Sequence, residues 1–246
     1  DTEDKIVIED GQIVDDGAEF IINPYDEYAV EEAIRQRDEH GGEVTVVTIG
    51  DEDSEKQLRT ALAMGADKAV LINTEYDLEE GDQFTTVKIL EAFFSDKDVD
   101  LILAGNVAID EASGQVGPRL AEALDIAFVS TIVGLEIDGD QVNIDKDIEG
   151  DIEKIETSLP LLVTCQQGLN EPRYPSLPGI MQARNKPLEE LELDDLDLDE
   201  DDVAPKTETV DIFLPPEKEA GRILDGDIEE QVKELVSLLK DEAKFL

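Results

Sequence analysis

Residues Gly105–Leu120, GNVAIDEASGQVGPRL, offer the clearest chemistry in this sequence. They leave an apolar run, Asp100–Ala104 (DLILA), pass through small residues, and enter a helical pattern near Gly114-Gln115. The C-terminal end of a parallel strand opening onto a helix N-terminus is where α/β sheets hold phosphates. Gly114 lets backbone amides approach an anion, and Ser113 and Gln115 can donate hydrogen bonds to one. A plain connection between strand and helix has the same composition, so on these residues alone both readings stand. A second segment, Gly168–Met181 (GLNEPRYPSLPGIM), comes after the apolar run Leu159–Cys165. Pro172, Pro175 and Pro178 argue against helix interior and central strand there. Yet it keeps Leu169, Tyr174, Leu177, Ile180 and Met181, which suits a rigid docking surface, or a connector that packs its own leucines. No GxGxxG, GxxxxGK[ST] or GxSxG motif occurs, and no cluster of His, Cys and acids has metal-ligand spacing. That pattern favours binding or electron transfer over hydrolysis or group transfer.

The elements that must carry these segments read as an α/β fold. Asn23-Pro24 opens a helix with acids in its first turn, and Gly41-Gly42 closes it after His40, a histidine placed to suit the helix dipole rather than a metal. Val44–Ile49 is a strand, Ser54–Met64 a helix ended by Gly65, Ala69–Ile72 a strand, and Gln83–Phe94 a helix. Strands that are apolar throughout and alternate with helices imply a doubly wound, mainly parallel sheet covered on both faces. From Phe128 the rhythm changes to successive strands, Thr131–Ile137, Gln141–Asp145, Ile152–Thr157 and Leu159–Cys165, an antiparallel addition turned at Asp138-Gly139-Asp140. Glu189–Asp202 alternates leucines with dense acids and reads as a solvated, weakly ordered linker. Asp227, with Glu230 three residues on, caps a last amphipathic helix. The expected organisation is an α/β domain over 1–187 that includes the loop 168–185, an acidic linker over 188–208, and an arm with its helix over 209–246. The chain opens on a hairpin around Gly11 rather than an apolar strand, so about ten further N-terminal residues carrying that strand are expected.

Acids outnumber bases 64 to 20 over 246 residues, a formal charge of −44. Such a field repels nucleic acid and anionic membranes. The acids are spread along the chain, and aromatic content is 4%. Together these suggest a high-salt cytoplasm, where dense salt screens self-repulsion. The one cysteine, Cys165, excludes a disulfide framework and reads as a core residue. No signal peptide and no run of about 18 apolar residues is present, so the expectation is a cytoplasmic protein without stable membrane insertion.

Several of these segments, taken in order, resemble one family. Asn23-Pro24-Tyr25 with the AVEEAIR helix, TALAMGAD (Thr60–Asp67), AID…GQVGP (Ala108–Pro118), Glu149–Cys165 and LNEPRYPSLPGIM are similar to the β subunit of electron transfer flavoproteins, here of a highly acidic, haloarchaeal type. The resemblance implies a heterodimer with an α subunit and one FAD in the cleft between them. Tyr25, with Thr2 near it, would wall the isoalloxazine ring. An adenine nucleotide, AMP or in the bifurcating branch a second FAD, would lie in the β subunit. Its phosphate would be held by Ala108, Asp110, Gly114, Gln115 and Val116, and its adenine would lie near Met64, Gly65 and Ala66. The loop would recognise partner dehydrogenases through Leu177 as anchor, with Tyr174, Pro178, Ile180 and Met181 beside it. The family basic residues after the loop are thinned here to Arg184 and Lys186. The implied role is that of an electron carrier, not an enzyme, passing electrons from acyl-CoA-type dehydrogenases of fatty acid oxidation towards a quinone oxidoreductase. Electron bifurcation with two FAD, or a stand-alone nucleotide-binding regulator, are the alternatives.

Overall fold

The computed structural model describes residues 6–9, 12–14, 18–74, 81–216 and 220–245, and they fall into two compact units. The smaller unit joins the first strands to the chain beyond residue 209. In it β1 (Val7–Glu9) pairs antiparallel with β2 (Gln12–Val14).

The larger unit begins with α1 (Pro24–His40). Pro24 suits the first helical position, Asp26 and Glu27 face the positive end of the dipole, and Arg37 and His40 face the negative end. Gly41 stops it at a φ of 84°. Next come β3 (Thr45–Gly50), α2 (Glu55–Met64), β4 (Lys68–Asn73), α3 (Gln83–Ser95), β5 (Leu101–Gly105) and α4 (Val116–Ala123). After them are β6 (Ala127–Asp138), β7 (Gln141–Ile148), β8 (Asp151–Ser158) and β9 (Leu161–Cys165). Helix α5 (Leu177–Ala183) then leads to β10 (Leu188–Leu191). The mixed α/β class read from the sequence holds, and so does the antiparallel addition. The sheet, however, is in two parts: a parallel β10-β4-β3 and a five-stranded β5-β9-β6-β7-β8. In the second, β5, β9 and β6 run parallel, and β6, β7 and β8 antiparallel. β3 and β5 are thus edge strands among the described residues. Helix α1 serves both parts. Tyr28 and Ala29 pack with Leu101, Leu103 and Val163, while Val30 and Ile34 pack with Val46, Ala61 and Met64.

The acidic stretch corrects an expectation. Glu189–Asp202 is not a weakly ordered linker: it supplies most of β10, a 3-10 turn (Leu193–Leu196) and α6 (Glu200–Val203). Leu193 and Val203 are buried with Ile72, Ile89 and Phe93, and Leu191, Leu196 and Leu198 pack beside them. The acids between them are exposed. The same alternation that reads as solvated in one dimension folds into an apolar seam with a charged outer face. Asp82 fastens the chain just beyond α6. Its Oδ1 caps α3 by accepting from the amides of Phe84 and Thr85, and its Oδ2 accepts from the amides of Lys206 and Thr207 and from the Thr207 hydroxyl.

In the smaller unit, α7 (Ile228–Asp241) has the capping box read from the sequence, with Asp227 and Glu230 bonded reciprocally. Its Ile228, Val232, Leu235 and Val236 are exposed. No helix among the described residues is long and apolar enough to cross a membrane, and no group among them could hold a metal ion.

Candidate functional site

The anion-type loop lies at the C-terminal end of β5. Ala108, Asp110, Gly114 and Gln115 are exposed, and Val116 is half-buried at the start of α4. Ala112 and Gly114 take left-handed φ values of 53° and 59°, which turn the backbone into the helix. Gln115 caps α4 by position but not by a side-chain hydrogen bond. A helix start not capped by its own side chain leaves amides that an anion can take as donors. Asp110 spends one oxygen on the Glu111 amide, at 2.7 Å.

The first turn of α1 holds this loop in place. Asn23 does not cap its own helix with its side chain. Its Nδ2 donates to Asp26 Oδ2 (2.7 Å) and to the Val107 carbonyl (3.0 Å), while its Oδ1 accepts from the Ile109 amide (3.3 Å). Asp26 Oδ1 accepts from the Gly105 amide at 2.7 Å. A Cβ on Gly105 would stand 2.7 Å from Asp26 and 2.9 Å from Asn23, so any side chain at the end of β5 would displace this pair. Burial lifts the Asp26 carboxyl above its ordinary range, against the lowering effect of its bonds to Asn23 and Gly105. Tyr25 lies between these two residues in sequence and is half-buried. Thr2 lies outside the described residues.

Met64, Gly65 and Ala66 are not brought there. They sit at the other end of α1, where Arg37 donates to the Gly65 carbonyl (2.8 Å) and to Asp67 (2.9 Å). Arg37 lies fourteen residues on from Asn23, about 21 Å along the axis. Met64 and Ala66 are buried, at 6% and 0% exposure. They lie at the turn from α2 into β4, where Met64 packs with Ile34 of α1. β3, like β5, ends in a glycine, Gly50.

The docking segment is partly helical, another departure from expectation. Ser176 caps α5 through the Gly179 amide. Pro178 falls in the first turn, where a missing N–H costs nothing, so the prolines do not forbid this helix. Gly179 rides on α2: a Cβ there would meet the Ala63 carbonyl at 2.5 Å. The chain before it is tied to α1 by two acids that composition gives no reason to single out. Glu31 and Glu32 are 5% and 2% exposed on an otherwise apolar face. Glu31 takes the Arg173 guanidinium in a fork, at 2.7 and 2.9 Å, and the Arg173 amide at 3.2 Å. Glu32 accepts from Asn170 (3.0 Å) and Gln36 (2.7 Å). On this base stand Tyr174 at 94% exposure, Leu177 at 73%, Met181 at 66% and Ile180 at 44%, with Pro178 also exposed. Lys186 is no longer a free charge, since its ammonium donates to the carbonyls of Leu62 and Ala66. Arg184 remains exposed. The sequence does carry a clue to the clamp: two adjacent acids inside the apolar stripe of a helix, with Asn and Arg three apart in a loop elsewhere.

Cys165 is buried at the end of β9, and burial, with Asp26 and Glu32 nearby, pushes its thiol far above the ordinary range. It is a neutral core group, not a nucleophile.

The larger unit is thus a mixed α/β domain that presents a glycine-turned loop after β5 and an exposed apolar segment around α5. Residues 10–196 match the electron transfer flavoprotein domain. The chain is 65% identical over 246 residues to the electron transfer flavoprotein subunit beta of Bacillus subtilis, covering 100% of this chain and 96% of that one. It is 40% identical over 231 residues to the corresponding subunit of Thermoanaerobacterium thermosaccharolyticum, covering 92% and 88%. It is 36% identical over 251 residues to the acryloyl-CoA reductase electron transfer subunit gamma of Anaerotignum propionicum, covering 97% and 94%. The chain belongs to the electron transfer flavoprotein family, on its β-subunit side.

Proposed function

We propose that this chain works as half of an αβ heterodimer that carries electrons on FAD from acyl-CoA-type dehydrogenases towards a quinone oxidoreductase. The observation that carries the reading is the platform Tyr174–Met181, exposed and apolar yet pinned to α1 and α2. A relative named as the electron transfer subunit of an acryloyl-CoA reductase supports the acyl-CoA class of donor. The α subunit would cover the apolar stripe of α7. FAD supplies the redox centre when bound; Tyr25 would lie against its ring, and this chain would fix its distance from the docking platform.

The loop Ala108–Val116 fits the phosphate of an adenine nucleotide, because it combines a left-handed glycine turn with a helix start that no N-cap side chain closes. Its adenine belongs at the C-terminal edge between β3 and β5, near Gly50, rather than at Met64–Ala66. Co-purification with the α subunit, followed by release and mass analysis of bound ligands, tests both parts. One FAD and one AMP per heterodimer is the expected result. Two FAD, with reduction by NADH, would replace it with bifurcation, and nucleotide bound by this chain with no α partner would leave a stand-alone regulator.

The charge of −44 further suits a high-salt cytoplasm. Raising salt from 0.1 M to 1 M shortens the screening length from about 10 Å to about 3 Å. The thermal midpoint of the purified protein should therefore rise across that range. An unchanged midpoint would remove the halophilic reading and leave the carrier reading standing.

A further inference from the structure

The anion-type loop is held at both ends by one buried side chain on the neighbouring strand. Thr164, at 2% exposure on β9, donates its hydroxyl proton to Asn106 Oδ1 (3.1 Å), the first residue of the loop. Its methyl group lies under the end of the loop, where a Cβ on Gly117 would come within 2.7 Å of Thr164 Cγ2. The same hydroxyl accepts from the Thr131 amide at 3.1 Å. Thr131 makes this possible only in an unusual state. It sits in the bulge of β6 with a φ of 53°, a left-handed conformation that a β-branched residue rarely adopts. Its own hydroxyl is tied to the Asp147 carbonyl at 3.2 Å. Strained backbone of this kind persists where the surroundings hold it, and it concentrates at functional sites.

We propose that Thr164, held by the left-handed Thr131, is the positioning residue of the loop Asn106–Gly117, its hydroxyl setting where the loop starts and its methyl where it ends. Threonine is the one residue that supplies both groups at this place. Serine lacks the methyl, and valine lacks the hydroxyl and strands the Thr131 amide. The inference rests on the nucleotide reading only for one of its two readouts.

The test uses the heterodimer with the α subunit, AMP as probe, and isothermal titration. Thr164→Val should weaken AMP binding about ten-fold, the effect of losing one buried hydrogen bond that orders the site. Thr164→Ser should stay within about three-fold, because the hydroxyl remains. Gly117→Ala should weaken binding by its clash with Cγ2, and the double variant Thr164→Ser/Gly117→Ala, which moves the methyl from one backbone to the other, should restore it. Thr85→Val removes a comparably buried hydroxyl, bonded to Asp82 and the Val203 carbonyl rather than to the loop. It should lower stability and leave AMP affinity unchanged. Equal affinity in Thr164→Val, an equal loss in Thr85→Val, or no recovery in the double variant would each overturn the proposal. If the unaltered heterodimer takes up no AMP, the nucleotide reading fails by itself. Amide exchange over residues 107–116 then decides the inference: faster exchange in Thr164→Val than in Thr85→Val supports it, and the same exchange in both overturns it.

Discussion

Replacing Asp82 with alanine lowers the stability of the larger unit by about 3 kcal/mol, the combined effect of a lost helix cap and of buried donors left unpaired. For a chain of this size that corresponds to a fall in thermal midpoint of roughly 6–12 °C. The size reflects the number of groups that converge on one carboxylate. Oδ1 serves two amides of α3, and Oδ2 serves two amides and one hydroxyl from residues 206 and 207. Asparagine can keep an acceptor on one side only, so Asp82→Asn also destabilises, by less. Burial by itself raises this carboxyl, but the donors from Thr85, Lys206 and Thr207 outweigh it and hold Asp82 well below the usual carboxylate range. The pH dependence has a definite sign. A depressed native value means that the unfolded chain binds the proton more readily, so the contribution is fully present above about pH 5 and drains away as pH falls below the unfolded value near 4. Denaturant melts of wild type and Asp82→Ala should therefore differ most at neutral pH and converge in acid. A constant gap between pH 7 and pH 3 would remove Asp82 from this role.

Leu177→Ala should act in the opposite way, on rate and not on stability. The side chain is 73% exposed, so truncation changes the folding free energy by no more than about 0.5 kcal/mol. Seated in an apolar pocket of a partner, the same side chain contributes roughly 1–3 kcal/mol, or about 5- to 150-fold in the rate of reduction by an acyl-CoA-type dehydrogenase at limiting concentration. Stopped-flow reduction by the dehydrogenase reads this directly. Reduction by dithionite, which needs no docking, and flavin content should match wild type. Equal dehydrogenase rates in the two proteins would show that the platform serves something else.

The long elements are legible in the sequence because each announces itself locally. Pro24 and Gly41 bound α1, and continuous apolar runs mark β3, β4, β5 and β9. Residues that act through partners distant in the chain are not legible. Glu31 and Glu32 look like surface acids until Arg173 and Asn170, about 140 positions away, arrive beside them. Asn23 looks like a cap, and becomes one for a loop 84 residues on instead. The acidic stretch after residue 188 misleads for a related reason: its leucines find their partners in α3 and β4, and composition cannot show that pairing. Nor does the order of motifs along the chain show that Met64–Ala66 lie by the C-terminal half of α1, with Arg37 donating to Gly65.

Helix α1 gives the molecule a gauge. Its first turn grips the loop after β5, and its second turn grips the docking segment. Glu31 lies five residues on from Asp26, about 7.5 Å of rise and about 500° of rotation. Neither grip can be moved without the other unless the helix itself is rebuilt. Lengthening that interval by one residue would swing Glu31 about 100° away from Arg173 while leaving every side chain chemically intact. The spacing along α1 is thus a mechanical dimension of the protein: it sets how far the exposed apolar segment stands from the loop after β5. It is written in the count of residues, not in their identity.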